Sequence, residues 1–129
     1  MELNKGTAVT LEVTVDETNL ASAVGSGLLD VFATPAMIAQ MESAAAQCMA
    51  QGLTEGQASV GTRIEVEHLA ATPLGLVVTV TATVVAVDGR RVDFSLEAGD
   101  KTGVVGRGTH SRFVVDVDRF MAKALQKQG

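Results

Sequence analysis

The sequence predicts an α+β fold, with one apolar helix enclosed by a curled antiparallel sheet of about five strands. Three observations carry that expectation. A single long segment, Met37 to Met49, repeats apolar residues at helical spacing. Five other segments alternate with a period of two or run apolar over a strand's length. The later strands are joined by short turns, Asp88-Gly89-Arg90 and Asp100-Lys101-Thr102-Gly103, and short turns connect antiparallel neighbours.

The length of 129 residues suits a single domain spanning residues 1–129. Apolar residues make up 47%, but aromatics only 3%, with no Trp and no Tyr. The core must therefore come from Val, Leu, Ala and Met, and β-branched stretches favour strands. A core this modest leaves sheet surface to cover, so association with a second copy of the chain is expected.

The elements follow in order. From Thr7 to Val15, residues Val9, Leu11, Val13 and Val15 point one way and Thr10, Glu12 and Thr14 the other, as in a half-buried strand. Between Asp16 and Asp30 the pattern dissolves into small and polar residues, including Gly25-Ser26-Gly27, which predicts a loop or a short irregular helix able to act as a lid. Thr34 is a good helix cap, Pro35 suits the first helical position, and Gly52 is a natural stop. In Met37, Ile38, Met41, Ala44, Ala45, Cys48 and Met49 the helix carries one apolar stripe. Ser59 to Ala70 predicts a strand with Val60, Ile64, Val66 and His68 on one face. Strands over Leu76–Val87, Val92–Ala98 and Val104–Val117 follow, then a short terminal helix over Met121–Gln128.

A formal charge of −5, with no cluster of Lys and Arg, argues against nucleic acid as a partner. No stretch approaches the roughly 20 apolar residues that span a membrane, and the N-terminus lacks a signal-peptide pattern. The lone Cys48 lies in the apolar helix and fits a reducing cytoplasm. No cofactor and no metal are expected: His68 and His110 have neither cysteine neighbours nor a ligand spacing. A phosphate-binding loop and a GxSxG elbow are also absent.

Chemistry is sought where ionisable residues fall among apolar ones. Glu42 borders the helix stripe, where a carboxylate is costly unless it is paired or reaches solvent. His68 lies at the end of an apolar strand face, as a core histidine or as a base. Thr34 is explained by capping alone, yet a hydroxyl at a helix N-terminus can also hold a carbonyl oxygen or a water. Thr34 and Glu42 are a little over two helical turns apart, so both can border one cleft. His110 and Arg112 alternate with Gly106 and Gly108 on the last strand. Glycines there mark close approach by a helix or a ligand. Arg112 can hold a carboxylate or phosphate, or form a surface ion pair.

Taken together, three stretches resemble the fluoroacetyl-CoA thioesterase type of hot-dog protein: VFATPAMIAQME (Val31 to Glu42), GTRIEVEHLAATPLGLVVTVTA (Gly61 to Ala82), and VDGRRV with GRGTHSRFVV, ending at Val115. The resemblance runs from about Val31 over most of the chain. It implies a hot-dog fold and hydrolysis of a small acyl-CoA. Thr34, Glu42 and His68 match the family's catalytic positions. Gly61 matches a glycine whose N–H receives the thioester oxygen, and Arg112 an arginine near the site. It further implies a homodimer joined edge to edge, with active sites at the subunit interface and no metal. Two departures are visible. Pro35 stands where a glycine is more usual and offers no N–H. The lid reads Gly25-Ser26-Gly27-Leu28-Leu29, without bulky phenylalanines, so a short-chain acyl-CoA is expected rather than a fluoroacetyl-selective site. An enoyl-CoA hydratase or dehydratase, or a non-catalytic acyl-CoA-binding module, are the alternatives on the same scaffold.

Overall fold

The computed structural model describes residues 1–129. Strand β1 (Ala8–Thr14) leads through a short helix α1 (Ala21–Val24) to the central helix α2 (Thr34–Ala50). Four strands follow: β2 (Gln57–His68), β3 (Val77–Asp88), β4 (Arg91–Asp100) and β5 (Gly103–Asp116). Helix α3 (Val117–Leu125) and a 3-10 turn end the chain. All strand pairs are antiparallel, in the order β1-β3-β4-β5-β2. One helix on a five-stranded antiparallel sheet is the expected α+β hot-dog arrangement.

The helix is held by its apolar stripe. Met37, Met41, Ala44, Ala45, Cys48 and Met49 are fully buried. They meet the inward rows of β3 (Val78, Val80, Ala82, Val84) and β4 (Val92, Phe94, Leu96, Ala98). Alternation places every second residue of those strands in the core, as their hydropathy pattern predicts. Alanines on both surfaces let helix and sheet approach closely, while methionines fill what remains. The opposite sheet face is polar, with Thr10 and Thr81 sharing a hydrogen bond of 2.9 Å.

Three sequence expectations are corrected. Thr34 is not the cap: Ala33 occupies that position, with extended backbone, and Thr34 is the first helical residue. Pro35 therefore sits one position later, still within the turn whose N–H groups need no helical partner. The second correction concerns β2. A bulge lies between Gly61 and Arg63, leaving Thr62 as the extra residue. Gly61 pairs with Arg112 and Ile64 with His110, whereas Val60 pairs with Phe113. Cross-strand partners share a face, so Gly61, Ile64, Val66 and His68 point inward and Val60 points outward. The strict alternation read from the sequence misplaced Val60. Third, the terminal helix begins at Val117, four residues before the expected start at Met121.

Gly52 does follow the helix end, but not because of a left-handed turn, since its φ is not positive. A side chain there would strike the backbone carbonyl of Glu2, which crosses the helix terminus.

Candidate active site

Two polar clusters face the inner side of the sheet. The first joins the start of α2 to the end of β2. Because Ala33 takes the cap position, the Thr34 hydroxyl is free of capping and lies 2.7 Å from His68 Nδ1. The Nε2 atom of His68 is buried and has no hydrogen-bond partner. Burial pushes the His68 imidazole below its ordinary value of 6.5, and the Ala70 backbone opposes the shift without reaching hydrogen-bond geometry at Nε2. The ring is thus neutral near pH 7, able to accept a proton from a hydroxyl or a water. A cavity of about 280 Å³ opens over this pair, lined by Ala21, Ser26, Val31, Phe32, Leu69 and Ala71 among others.

The loop covering this cavity is pinned at its base and open at its tip. Ala21 N–H bonds the Val31 carbonyl and Phe32 N–H the Thr72 carbonyl, both at 2.8 Å. Leu28, by contrast, is 94% exposed. The lid expected from Gly25-Ser26-Gly27 is therefore a short helical hairpin carrying apolar side chains on its outside.

The second cluster gathers around Glu42, on the next turns of α2. Its Oε2 lies 3.4 Å from Arg112 Nη1 and 4.0 Å from His110 Nε2. Arg112 is 7% exposed and reaches Ser59 twice, through Nε to Oγ at 2.9 Å and Nη2 to the carbonyl at 3.0 Å. Burial draws the guanidinium below its usual value while Glu42 pulls it back, so this is a partly desolvated ion pair. Gly61 lies against the carboxylate. A Cβ at this position would stand 2.7 Å from Glu42 Oε2, 3.1 Å from His110 Cε1 and 3.4 Å from Arg112 Nη1. The bulge at Thr62 aims Gly61 inward and so brings this bare backbone to the carboxylate.

The structure thus brings Thr34 to His68, and Glu42 to Arg112 and Gly61. Within one chain it does not bring Glu42 to His68, since the helix carries Glu42 about 12 Å along its axis from Thr34. The two residues expected to border one cleft are parted: Thr34 lines the cavity over His68, and Glu42 does not. Glu42 is neither wholly solvated nor isolated: its side chain is 44% exposed and ion-paired. Arg112 is a buried partner rather than a surface salt bridge. Of the glycines flagged on β5, Gly106 admits Met37 of the helix and Gly108 admits the backbone of β2. Neither approaches the Glu42 cluster as Gly61 does.

Similarity to known proteins converges on one family. A model of the fluoroacetyl-CoA-specific thioesterases matches residues 15–118. The chain belongs to that family. The fluoroacetyl-CoA thioesterase of Streptantibioticus cattleyicolor is 47% identical over 98 residues, 76% of this chain and 70% of that enzyme. A solved fluoroacetyl-CoA thioesterase superposes with a TM-score of 0.93 at 37% identity, over 98% of both chains. The hot-dog-like protein of Thermanaerovibrio acidaminovorans superposes with a TM-score of 0.90 at 32% identity, over 98% of this chain and 94% of that one. In this family setting, His110 and Ser59 stand out as site neighbours that sequence reasoning gave no role. His110 carried a signal, its period-two spacing with Arg112, whereas Ser59 carried none.

Proposed function

We propose that the protein is an acyl-CoA thioesterase whose active site is completed by two copies of the chain. The observation that carries this reading is the placement of the two clusters at either end of β2, an edge strand with no neighbour on its outer side. A long unpaired edge invites pairing with another strand. If two copies join antiparallel along β2 about a centre at Glu65, Ile64 of one pairs with Val66 of the other and, with Thr62 again the extra residue, Gly61 falls opposite His68. A two-fold axis normal to the sheet keeps both inner faces on the same side. Glu42, Arg112 and Gly61 of one chain then meet Thr34 and His68 of the partner, and two equivalent sites result.

In that composite site the thioester carbonyl lies between Thr34 and the Gly61 backbone, whose hydroxyl and N–H donate to its oxygen. Glu42, ion-paired with Arg112, either attacks the carbonyl carbon, giving an acyl anhydride that water then hydrolyses, or takes the proton of an attacking water. Neutral His68 donates Nδ1–H to the Thr34 oxygen, which leaves the hydroxyl proton for the carbonyl oxygen, and its ring takes up the proton drawn from the water and returns it to the leaving thiolate. The acyl group enters the cavity over Thr34. Its volume of about 280 Å³, with walls of alanine, Val31, Leu69 and the buried Phe32 and an open lid tip, suits short acyl chains. A variant of the solved fluoroacetyl-CoA enzyme was crystallised with acetyl-CoA, which supports a CoA ester as the substrate class here. Without an aromatic gate, rates on acetyl-, propionyl- and fluoroacetyl-CoA should lie within about tenfold of one another. No helix is long and apolar enough to cross a membrane. A cytoplasmic setting completes the reading, supported by the unpaired, buried Cys48.

The test is release of free thiol from a panel of acyl-CoAs, with complementation. Glu42→Ala and His68→Ala should each lower kcat by about 10²-fold or more. Mixed and re-equilibrated, the two inactive variants should recover about a quarter of wild-type activity, because half the dimers then hold one intact site. No recovery on mixing would overturn the shared site. Full activity in both variants would overturn the residue roles, and hydration of an enoyl-CoA without thiol release would assign the other chemistry.

A further inference from the structure

We infer that His110 is a positioning residue: it acts through Arg112 to hold the guanidinium against Glu42. The inference rests on the thioesterase reading for its consequence in catalysis, but its geometry stands apart from that reading. His110 is 2% exposed, in the middle of β5. Its Nδ1 lies 2.7 Å from the Arg63 carbonyl oxygen. A carbonyl only accepts, so Nδ1 carries the proton, and in the neutral ring Nε2 is left as a bare acceptor. That acceptor faces Arg112 Nη1 at 3.2 Å. The tautomer is therefore dictated by the backbone of the neighbouring strand, and the side chain becomes a fixed lone pair aimed at the guanidinium.

The surrounding groups leave this arrangement little freedom. Arg63 directly follows the extra residue Thr62, so the carbonyl that orients His110 lies at the β2 bulge. The Phe94 ring of β4 stands with its centroid 6.2 Å away, tilted by 31°. Ser59 holds the far side of the guanidinium through Nε and Nη2. Nη1 alone is not held by Ser59, and it is shared between His110 Nε2 and Glu42 Oε2. Burial and the Arg112 charge both push the imidazole below 6.5, against the Arg63 carbonyl and Glu42. Protonated, Nε2 would turn a donor toward a donor, so only the neutral ring serves this purpose.

The experiment compares His110→Phe, which fills the space without an acceptor, with His110→Gln, which keeps one donor and one acceptor. Positioning predicts a fall in kcat of about tenfold for His110→Phe with KM nearly unchanged, and recovery to within about threefold for His110→Gln. In an Arg112→Met background, His110→Phe should cost nothing further. Equal losses in Phe and Gln, losses that multiply with Arg112→Met, or unchanged kcat in His110→Phe would each overturn the inference. A readout independent of turnover is the ¹⁵N spectrum of the wild-type protein. It should show His110 neutral with the proton on Nδ1, and Arg112 guanidinium protons whose exchange quickens in His110→Phe. A proton on Nε2 overturns the inference whether or not the protein hydrolyses thioesters. A wild type that shows the Nδ1 form but releases no thiol overturns the function alone. A His110→Phe chain that fails to fold leaves the decision to His110→Gln and the wild-type spectrum.

Discussion

Gly61→Ala is a small change with a large expected consequence. The added methyl would stand 2.7 Å from Glu42 Oε2, against the 3.4 Å of ordinary contact, so the carboxylate must retreat by about 0.7 Å. It can do so cheaply, because Glu42 is the flexible end of a half-exposed side chain. The stability cost should therefore stay near the lower bound for overpacking, about 1 kcal/mol, or about 4 °C in Tm for a chain of this size. Catalysis has no such slack. A misplacement approaching 1 Å costs up to about 10²-fold, so kcat/KM should fall by about 30-fold or more. The assay is thiol release by Gly61→Ala alone and in a Glu42→Gln background, beside a thermal melt. If the methyl acts by displacing the carboxylate, Gly61→Ala costs almost nothing once Glu42 is already disabled. Full activity in the single variant would refute the reasoning. An equal loss in both backgrounds would show that the methyl acts elsewhere.

Thr34→Val should leave Tm within about 2 °C of wild type, because Thr34 is not the helix cap, while kcat falls with loss of the 2.7 Å contact to His68. A loss of about 1 kcal/mol in urea unfolding would instead restore the capping role. Among the β5 glycines, Gly108→Ala drives its methyl into the Glu65 backbone and should cost about 3 kcal/mol, whereas Gly106→Ala meets the flexible Met37 sulfur and should cost about 1. Chemical denaturation of the pair checks the order. For pH, the folded values of His68 and His110 both lie below 6.5. The unfolded chain then binds protons first, so stability is whole above pH 6.5 and declines as pH falls toward the folded values. Since His68 must be neutral to accept a proton, the acid limb of kcat/KM should have its midpoint below 6.5. A midpoint above 6.5 would contradict the burial of its ring.

Much of the fold was legible because it depends on local periodicity. The helix stripe from Met37 to Met49 and the alternation in β1, β3 and β4 are short-range patterns, and each element formed where its pattern lay. Strand boundaries moved by a residue or two, since strand ends depend on what the neighbouring strand offers, while the terminal helix began four residues early. The site was half legible. Family resemblance marked Thr34, Glu42, His68, Gly61 and Arg112, but no local pattern says which of them touch.

What the sequence determined alone was the element types, the aliphatic core and the choice of residues at the chemical positions. Tertiary structure decided their grouping. One extra residue, Thr62, reverses the facing of β2, so Gly61 and not Val60 points at the helix. A cap one residue early, at Ala33, releases the Thr34 hydroxyl to His68. Glu42 finds its cation 70 residues away, on a strand beside the edge. A bulge and a cap are each set by the hydrogen bonds of neighbouring segments, which are fixed only once distant strands have paired. Periodicity along the chain reports which residues could turn inward, and pairing across the sheet selects which of them meet.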